Sequence, residues 1–318
     1  VMKKYMNSPF SRYNAVWIFV ILFVAFSIYN SNFATVRNVN VWAVGRVTVG
    51  FFALAAMLPL IAGEFDISLG YMLGTSIMIG GWTATNLGFN SAMVLITVVL
   101  TATMLGCFNG LLSVVLKIPS TISTLGSGMV FYGITLWTND CKSFSTCLAN
   151  GVVKFAKTKL LGINVMVYIL IVVAICLYYV LERTPFGKHI YAVGLSERVA
   201  HLAGIRTKFV RFLSFAIAGM LIGIGAALFM CTSGNAMPDT GPSYLMPGLA
   251  TVFLSITTHK IGRYNTVGTV VAIFLLGMVF NGLNIVGTPF WFEGVVNGII
   301  LLGVVLFNGA ESRQAAVG

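Results

Sequence analysis

The chain has 318 residues, of which 58% are hydrophobic and only 8% charged, with a mean hydropathy of +0.94. Soluble domains carry about 25% charged residues and disordered chains are poor in apolar ones, so both classes are excluded and the chain reads as an integral membrane protein. The net charge of +11 would point to nucleic acid in a soluble protein. Here the basic residues fall between apolar runs, where they set orientation in lipid, and no nucleic-acid partner is expected.

A bilayer core about 30 Å thick needs about 20 helical residues, and long unbroken apolar runs do not fit the alternating segments of a barrel. The expected fold is therefore all-α, a single polytopic transmembrane bundle of about ten spans over residues 1–318. No charge lies between Arg12 and Arg37, which gives a first helix near 15–34. That run is longer than a signal-peptide core and lacks a small-residue cleavage pattern, so it reads as a retained anchor. A second span lies between Arg46 and Glu64. The 50 charge-free residues from Ile67 to Leu116 hold two more, with Asn86-Leu87-Gly88-Phe89-Asn90-Ser91 as the turn. Further spans fall near 120–137, 163–181, 212–231, 245–258, 265–286 and 292–308, the eighth weakened by Pro247, Ser255, Thr257 and Thr258.

Ten spans leave both termini on one side. With the N-terminus inside, the inner segments hold Lys3, Lys4, Arg12, Lys117, Arg183, Lys188, Arg198, Arg206, Lys208, Arg211, Lys260, Arg263 and Arg313. The outer ones hold only Arg37, Arg46, Lys142, Lys154, Lys157 and Lys159. The positive-inside rule then places both termini in the cytoplasm. Cys107, Cys176 and Cys231 fall within spans as small packing residues. Cys141 and Cys147 share the outer loop 138–160, where a disulfide and two free thiols both remain open because spacing cannot fix the geometry. Gly70/Gly74, Gly106/Gly110, Gly219/Gly223 and Gly294/Gly298 have the spacing that lets helix backbones approach closely.

There is no Walker A loop and no H-E-x-x-H, no Cys/His cluster with zinc spacing, and no histidine or acid cluster inside a span: His189, His201 and His259 all fall in inner loops. Passage of a substrate is expected rather than chemistry on it, with no cofactor and no metal.

Three segments carry information. In GEFDISLG at 63–70, two acids interrupt an apolar stretch. An intramembrane acid is a functional candidate, while Asp66 or Ser68 can equally cap the next helix. The long inner loop 182–211 interleaves apolar residues with charges. Within it Ser196 caps a short amphipathic helix, Val199, Leu202 and Ala203 share a face, and Gly204 ends it. Such a helix docks into a partner's groove or rests on lipid headgroups. In NGLNIVGTPFW at 281–291, Asn281 and Asn284 can bond a polyhydroxylated solute or a neighbouring helix, and Phe290 with Trp291 marks the outer interface.

Together these segments resemble the transmembrane permeases of the ribose and autoinducer-2 class of ABC importers. That family typically shows GGIDLSVG where this chain has GEFDISLG. RTPFGKHIYAVGLSERVAHLAGI at 183–205 is similar to its Arg-Thr-x-Phe-Gly run and following short helix, and NGLNIVGTPFW to its Asn-Gly-Leu-Asn run. The resemblance implies one membrane half of an ATP-driven sugar importer in a bacterial inner membrane, the alternatives being an ABC permease for nucleosides or branched-chain amino acids, or a stand-alone secondary transporter. A second permease subunit, identical or related, would complete the pathway, a cytoplasmic ABC ATPase would drive it and a periplasmic binding protein would deliver the sugar. It also implies that Ser196, Glu197, Arg198, Val199, Ala200, His201, Leu202, Ala203 and Gly204 form a coupling helix, with Val199, Leu202 and Ala203 as its seat. Asp66, Ser68, Asn281 and Asn284 remain pathway or motif candidates. The chain departs from the family at Glu64, usually glycine, at Leu245-Met246-Pro247, and in FLSITTHKIGRYNTVG at 253–268, where only Gly262 and Gly268 of a glycine-rich run survive. The backbone path over 244–264 is therefore open.

Overall fold

A computed structural model describes residues 14–289 and 291–317. Lys3, Lys4 and Arg12, used in the orientation rule, and Phe290 of the expected aromatic pair lie outside the described residues. The described residues are predominantly helical: α1 Asn14–Tyr29, α2 Val36–Gly45, α3 Val47–Ile61, α4 Leu69–Asn86, α5 Ser91–Gly110, α6 Ser120–Trp137, α7 Asn150–Ala156, α8 Val165–Arg183, α9 Pro185–Leu195, α10 Glu197–Leu202, α11 Thr207–Ser233, α12 Thr240–Leu254, α13 Thr266–Val286 and α14 Trp291–Val317. A π-turn, Leu111–Val115, extends α5, and a 3-10 turn, Ser255–Thr257, follows α12. A two-residue hairpin, β1 Lys159–Leu160 with β2 Ile163–Asn164, precedes α8.

The ends of these helices are set by local chemistry. Asn90, Asn164 and Asn265 stand extended before α5, α8 and α13, and each side chain accepts a backbone N–H of the first turn. Gly234 and Gly287 close α11 and α13 in the left-handed conformation.

Four described helices are both long and apolar enough to cross a bilayer: α5 with its π-turn, α8, α11 and α13. A fifth is gained if α2 and α3, bent by 43° at Arg46, count as one broken span. Helices α4 and α6 have span length but carry serines and threonines on buried faces, and those groups bond one another instead of water. Thr75 Oγ1 lies 2.8 Å from Thr135 Oγ1, and Ser127 donates to Asn109 Oδ1 at 2.6 Å.

Helix α3 is the strut of the bundle. Every residue in it but Leu60 is buried, the mark of a helix that is apolar all round. Helix α11 packs beside it, with 61% of its most apolar stretch buried, against 22% for α5 at the edge. On α5 and α8 the outward residues Ile96, Leu100, Met104, Val172, Ile175 and Tyr179 are exposed, as a lipid-facing surface requires. Two of the glycine pairs pack together: a Cβ on Gly219 would come within 2.5 Å of Ala102 O, and one on Gly106 within 2.6 Å of Phe215 O. Gly70 and Gly74 receive Gly241 of α12 in the same way. Gly294 and Gly298 differ, because among the described residues a Cβ on either would meet no neighbouring element within 4 Å.

Several expectations are corrected. Residues 36–45, read as an outer loop, form α2, and Arg46 is a mostly buried ion-pair partner of Glu293. The loop 182–211 is mostly helix, with α9 preceding the expected short helix. The chain at 244–264 runs through α12 and the 3-10 turn to Asn265, whose Nδ2 donates to the carbonyls of Ser255, Thr258 and Arg263. Both Cys141 and Cys147 are free thiols: Cys141 is exposed, Cys147 is buried, and burial pushes its thiol pKa up. Cys176 is exposed on α8 rather than packed.

Candidate functional site

Groups of chemical interest gather at the two ends of α3. At its C-terminal end, Pro185 opens α9 at the helix start, where its missing N–H costs nothing. Helix α9 lies across the end of α3 at a distance only glycine allows, since a Cβ on Gly194 would fall 1.8 Å from Ile61 O. The Tyr191 hydroxyl donates to Tyr264 O at 2.8 Å and secures the other side.

Helix α10 follows directly. Ser196 is extended and its Oγ accepts from Val199 N at 3.4 Å, while Gly204, at φ +82°, turns the chain away. Ala200 faces inward. Val199 is 64% and Leu202 80% exposed, beside exposed Glu197, Arg198, His201, Ala203 and Gly204. Leaving two large apolar side chains uncovered on a six-residue helix argues for a surface that is met by something else.

One guanidinium fastens this peg to the bundle. Arg211 of α11 donates from Nε to Glu64 Oε1 at 2.5 Å and from Nη1 to Glu197 Oε1 at 2.8 Å. It thus ties the α3–α4 turn to the first residue of α10. The Glu64 side chain is 8% exposed. A cavity of about 790 Å³ opens here, lined among others by Glu64, Lys117, Ser120, Glu197, Lys208 and Arg211.

Asp66 and Ser68 sit in the same turn but are turned inward. Asp66 Oδ1 accepts from Ser68 N at 2.9 Å and from Ser68 Oγ at 2.6 Å, which closes the turn before α4, while no side chain accepts a first-turn N–H of that helix. Asn109 Nδ2 donates to Ser68 Oγ at 2.5 Å, and the chain of bonds continues through Ser127 into α6. Asp66 Oδ2 is buried without a partner, and burial pushes the carboxyl pKa up to about 6 against the pull of the Ser68 bonds. Neither residue lines either of the two cavities at the ends of α3.

At the opposite end of α3 a second cavity, of about 670 Å³, lies between α2, α3, α12, α13 and α14. Arg46 and Glu293 pair across it at 2.9 Å, and the guanidinium lies 4.9 Å from the centre of the Phe280 ring. Asn281 and Asn284 both line this cavity. Asn281 also exchanges hydrogen bonds with Asn38 of α2, at 2.8 and 3.2 Å, so it joins two helices while one side of it faces the cavity. Asn284 is exposed on the wall.

The structure therefore brings 196–204 together with Glu64, and Asn281 with Asn284, and keeps Asp66 and Ser68 apart from both cavities. Sequence reasoning missed Arg211 as a clamp, Arg46 and Glu293 as a pair, and Asn109, Trp42 and Asn297. A signal for some existed: in a chain with eight acids, Glu64 and Glu293 each call for a cation. Their partners lie 147 and 247 positions away, which no local pattern reveals.

Residues 39–305 match the family described as branched-chain amino acid transport system / permease component. The chain belongs to this permease family. Over 294 residues the permease is 30% identical to the ribose import permease protein RbsC of Bacillus subtilis (strain 168), covering 92% of this chain and 91% of that one. It is 25% identical over 296 residues to the autoinducer 2 import system permease protein LsrC of Salmonella typhi, covering 93% and 84%. The LsrC of Photorhabdus laumondii is likewise 25% identical over 288 residues, covering 91% and 86%. No solved structure matches the permease.

Proposed function

We propose that this permease is the membrane-spanning subunit of an ATP-binding-cassette importer that carries a sugar or a related small polar solute into the cytoplasm. The relatives are named as ribose and autoinducer-2 import permeases and cover almost the whole chain, which favours a sugar over the amino acids of the family description. The observation that carries the mechanism is α10, a capped peg with Val199 and Leu202 uncovered and nothing in the chain that would hydrolyse ATP by a Walker A loop. ATP hydrolysis on a partner chain has to reach this bundle through a noncovalent contact, and a rigid helix seated in a groove transmits displacement where a slack loop would not.

In this reading the protein sits in a bacterial inner membrane with ten spans and both termini cytoplasmic. Helices α1, α4, α6, α12 and α14 complete the count with α2–α3, α5, α8, α11 and α13. Residues 196–204 face a cytoplasmic ABC ATPase, a periplasmic binding protein delivers solute at the opposite end, and a second permease subunit completes the pathway. Asn281 and Asn284 belong to that pathway, whereas Asp66 and Ser68 hold the turn behind α10.

Reconstitution tests this. Proteoliposomes holding the permease, its ATPase and a sugar-loaded binding protein should accumulate sugar against its gradient only when ATP is present. Accumulation by the permease alone, driven by an ion gradient, would refute the reading.

A further inference from the structure

The cavity at the N-terminal end of α3 contains two unmet hydrogen-bonding demands. Trp42 Nε1 and Asn297 Oδ1 are both buried with no hydrogen-bond partner. Their residues, 8% and 3% exposed, both line this space. The great majority of buried polar atoms are paired, and each exception calls for an explanation. The indole nitrogen can only donate and the amide oxygen can only accept. A hydroxyl group does both, so a polyol satisfies the two without carrying charge. The remaining wall fits the same chemistry: Asn281 and Asn284 add amide donors and acceptors, and Trp291 and Tyr244 add aromatic surface.

Charge narrows the class further. The cationic and anionic side chains lining the cavity, Arg46 and Glu293, already neutralise each other. A zwitterionic amino acid would have to break that pair to be held by its ammonium and carboxylate, whereas a neutral sugar would not. The volume of about 670 Å³ lies within the ~300–1,000 Å³ usual for small-molecule sites.

We infer that this cavity is a solute subsite of the permease itself, selective for a neutral monosaccharide-sized polyol, with Trp42 as donor and Asn297 as acceptor. The inference rests on the importer reading and deepens it: the membrane subunit, and not only a binding protein, would discriminate among solutes.

The test is direct binding by the purified permease in lipid nanodiscs, read by saturation-transfer NMR with a panel of aldopentoses and aldohexoses, and with leucine as a zwitterionic control. At least one aldose should bind and leucine should not. Trp42→Phe keeps the ring and removes the N–H, and Asn297→Leu removes the acceptor. Each should weaken aldose binding roughly five- to tenfold, with thermal unfolding reporting that the variants are folded. Should Asn297→Leu fail to fold, Trp42→Phe alone decides. Wild-type protein that binds no aldose, variants that bind as the wild type does, or leucine bound as well as the sugars would each overturn the subsite. ATP-driven sugar uptake by the complete importer, measured alongside, separates the outcomes: uptake without permease binding sinks the subsite and leaves the transport function standing, and loss of uptake sinks both.

Discussion

At the scale of single residues, two acids in one turn have opposite fates. Glu64 is paired with Arg211, whose Nε and Nη2 both meet its Oε1. Removing one partner of a buried pair leaves an uncompensated charge, a loss of about 3 kcal/mol. Arg211→Met should therefore lower thermal stability in detergent by about that amount, and Arg211→Met combined with Glu64→Gln should recover most of it. Equal instability of the single and double variants would show that the ion pair is not what secures the turn. Asp66 has no cation. Its carboxyl, raised by burial to about 6 from 3.8, binds a proton more tightly in the folded chain than in the unfolded one. Its contribution is thus fullest below pH 4, is lost as pH rises from about 4 to 6, and is flat above, amounting to about 3 kcal/mol. Asp66→Asn should abolish this component, so the stability difference between wild type and variant should change across that window. Parallel stability curves for the two proteins would refute it.

At the scale of elements, the decisive contact is that of α9 on α3. A Cβ at Gly194 would collide with Ile61 O, an atom of backbone that cannot swing aside. Gly194→Ala should lift α9 and α10 off the bundle and cut ATP-driven uptake by about tenfold or more while membrane insertion persists. Gly126→Ala on α6, where a Cβ meets nothing within 4 Å, should leave uptake near wild type. Equal effects of the two substitutions would remove the special role of Gly194. Helix α10 was legible beforehand because its two ends are written locally, in Ser196 and Gly204. Helix α9 was not: a proline and two glycines within PFGKHIYAVGL have the composition of a loop, whereas Gly187 serves the tight corner against Leu181 at the end of α8 and Gly194 the close approach to Ile61 of α3. Helix α2 was missed for a similar reason, since Arg37, Asn38 and Asn40 suggest solvent although Asn38 and Asn40 spend their amides on Asn281 and Gly162. The turn within 86–91 was readable because 50 charge-free residues are too many for one span and the Asn and Gly residues there suit a turn, and α6 falls on the expected 120–137. Helices α4 and α6 have span length but fall short on hydropathy because of their serines and threonines, some of which are satisfied within the bundle, as Thr75 is by Phe131 O and Thr135.

At the scale of the molecule, α3 connects the two regions that matter. It begins at Arg46 on the wall of the polar cavity and ends at the turn that Arg211 clamps to α10. At 15 residues it is about 22 Å long, and it is buried along its length, so a push at one end is delivered at the other with little slack. In the proposed importer this would be a physical route between an ATPase seated on α10 and a solute held near Trp42. The pairing of Arg46 with Glu293 belongs to the same route, because it joins the bend in the α2–α3 helix to the start of α14. Replacing Glu293 by Gln should therefore reduce uptake more than it reduces ATPase attachment, and a loss of attachment alone would place the pair outside the route.

The most direct measurement is co-purification of the ATPase with the permease from membranes, comparing the wild-type chain with one carrying Arg198→Glu and Leu202→Asp. Both residues are exposed on α10, so their replacement leaves the bundle intact. The ATPase should be retained by the wild type and lost from the variant, with both permeases inserted to the same extent. Undiminished retention by the variant would mean that the bundle is not moved through α10.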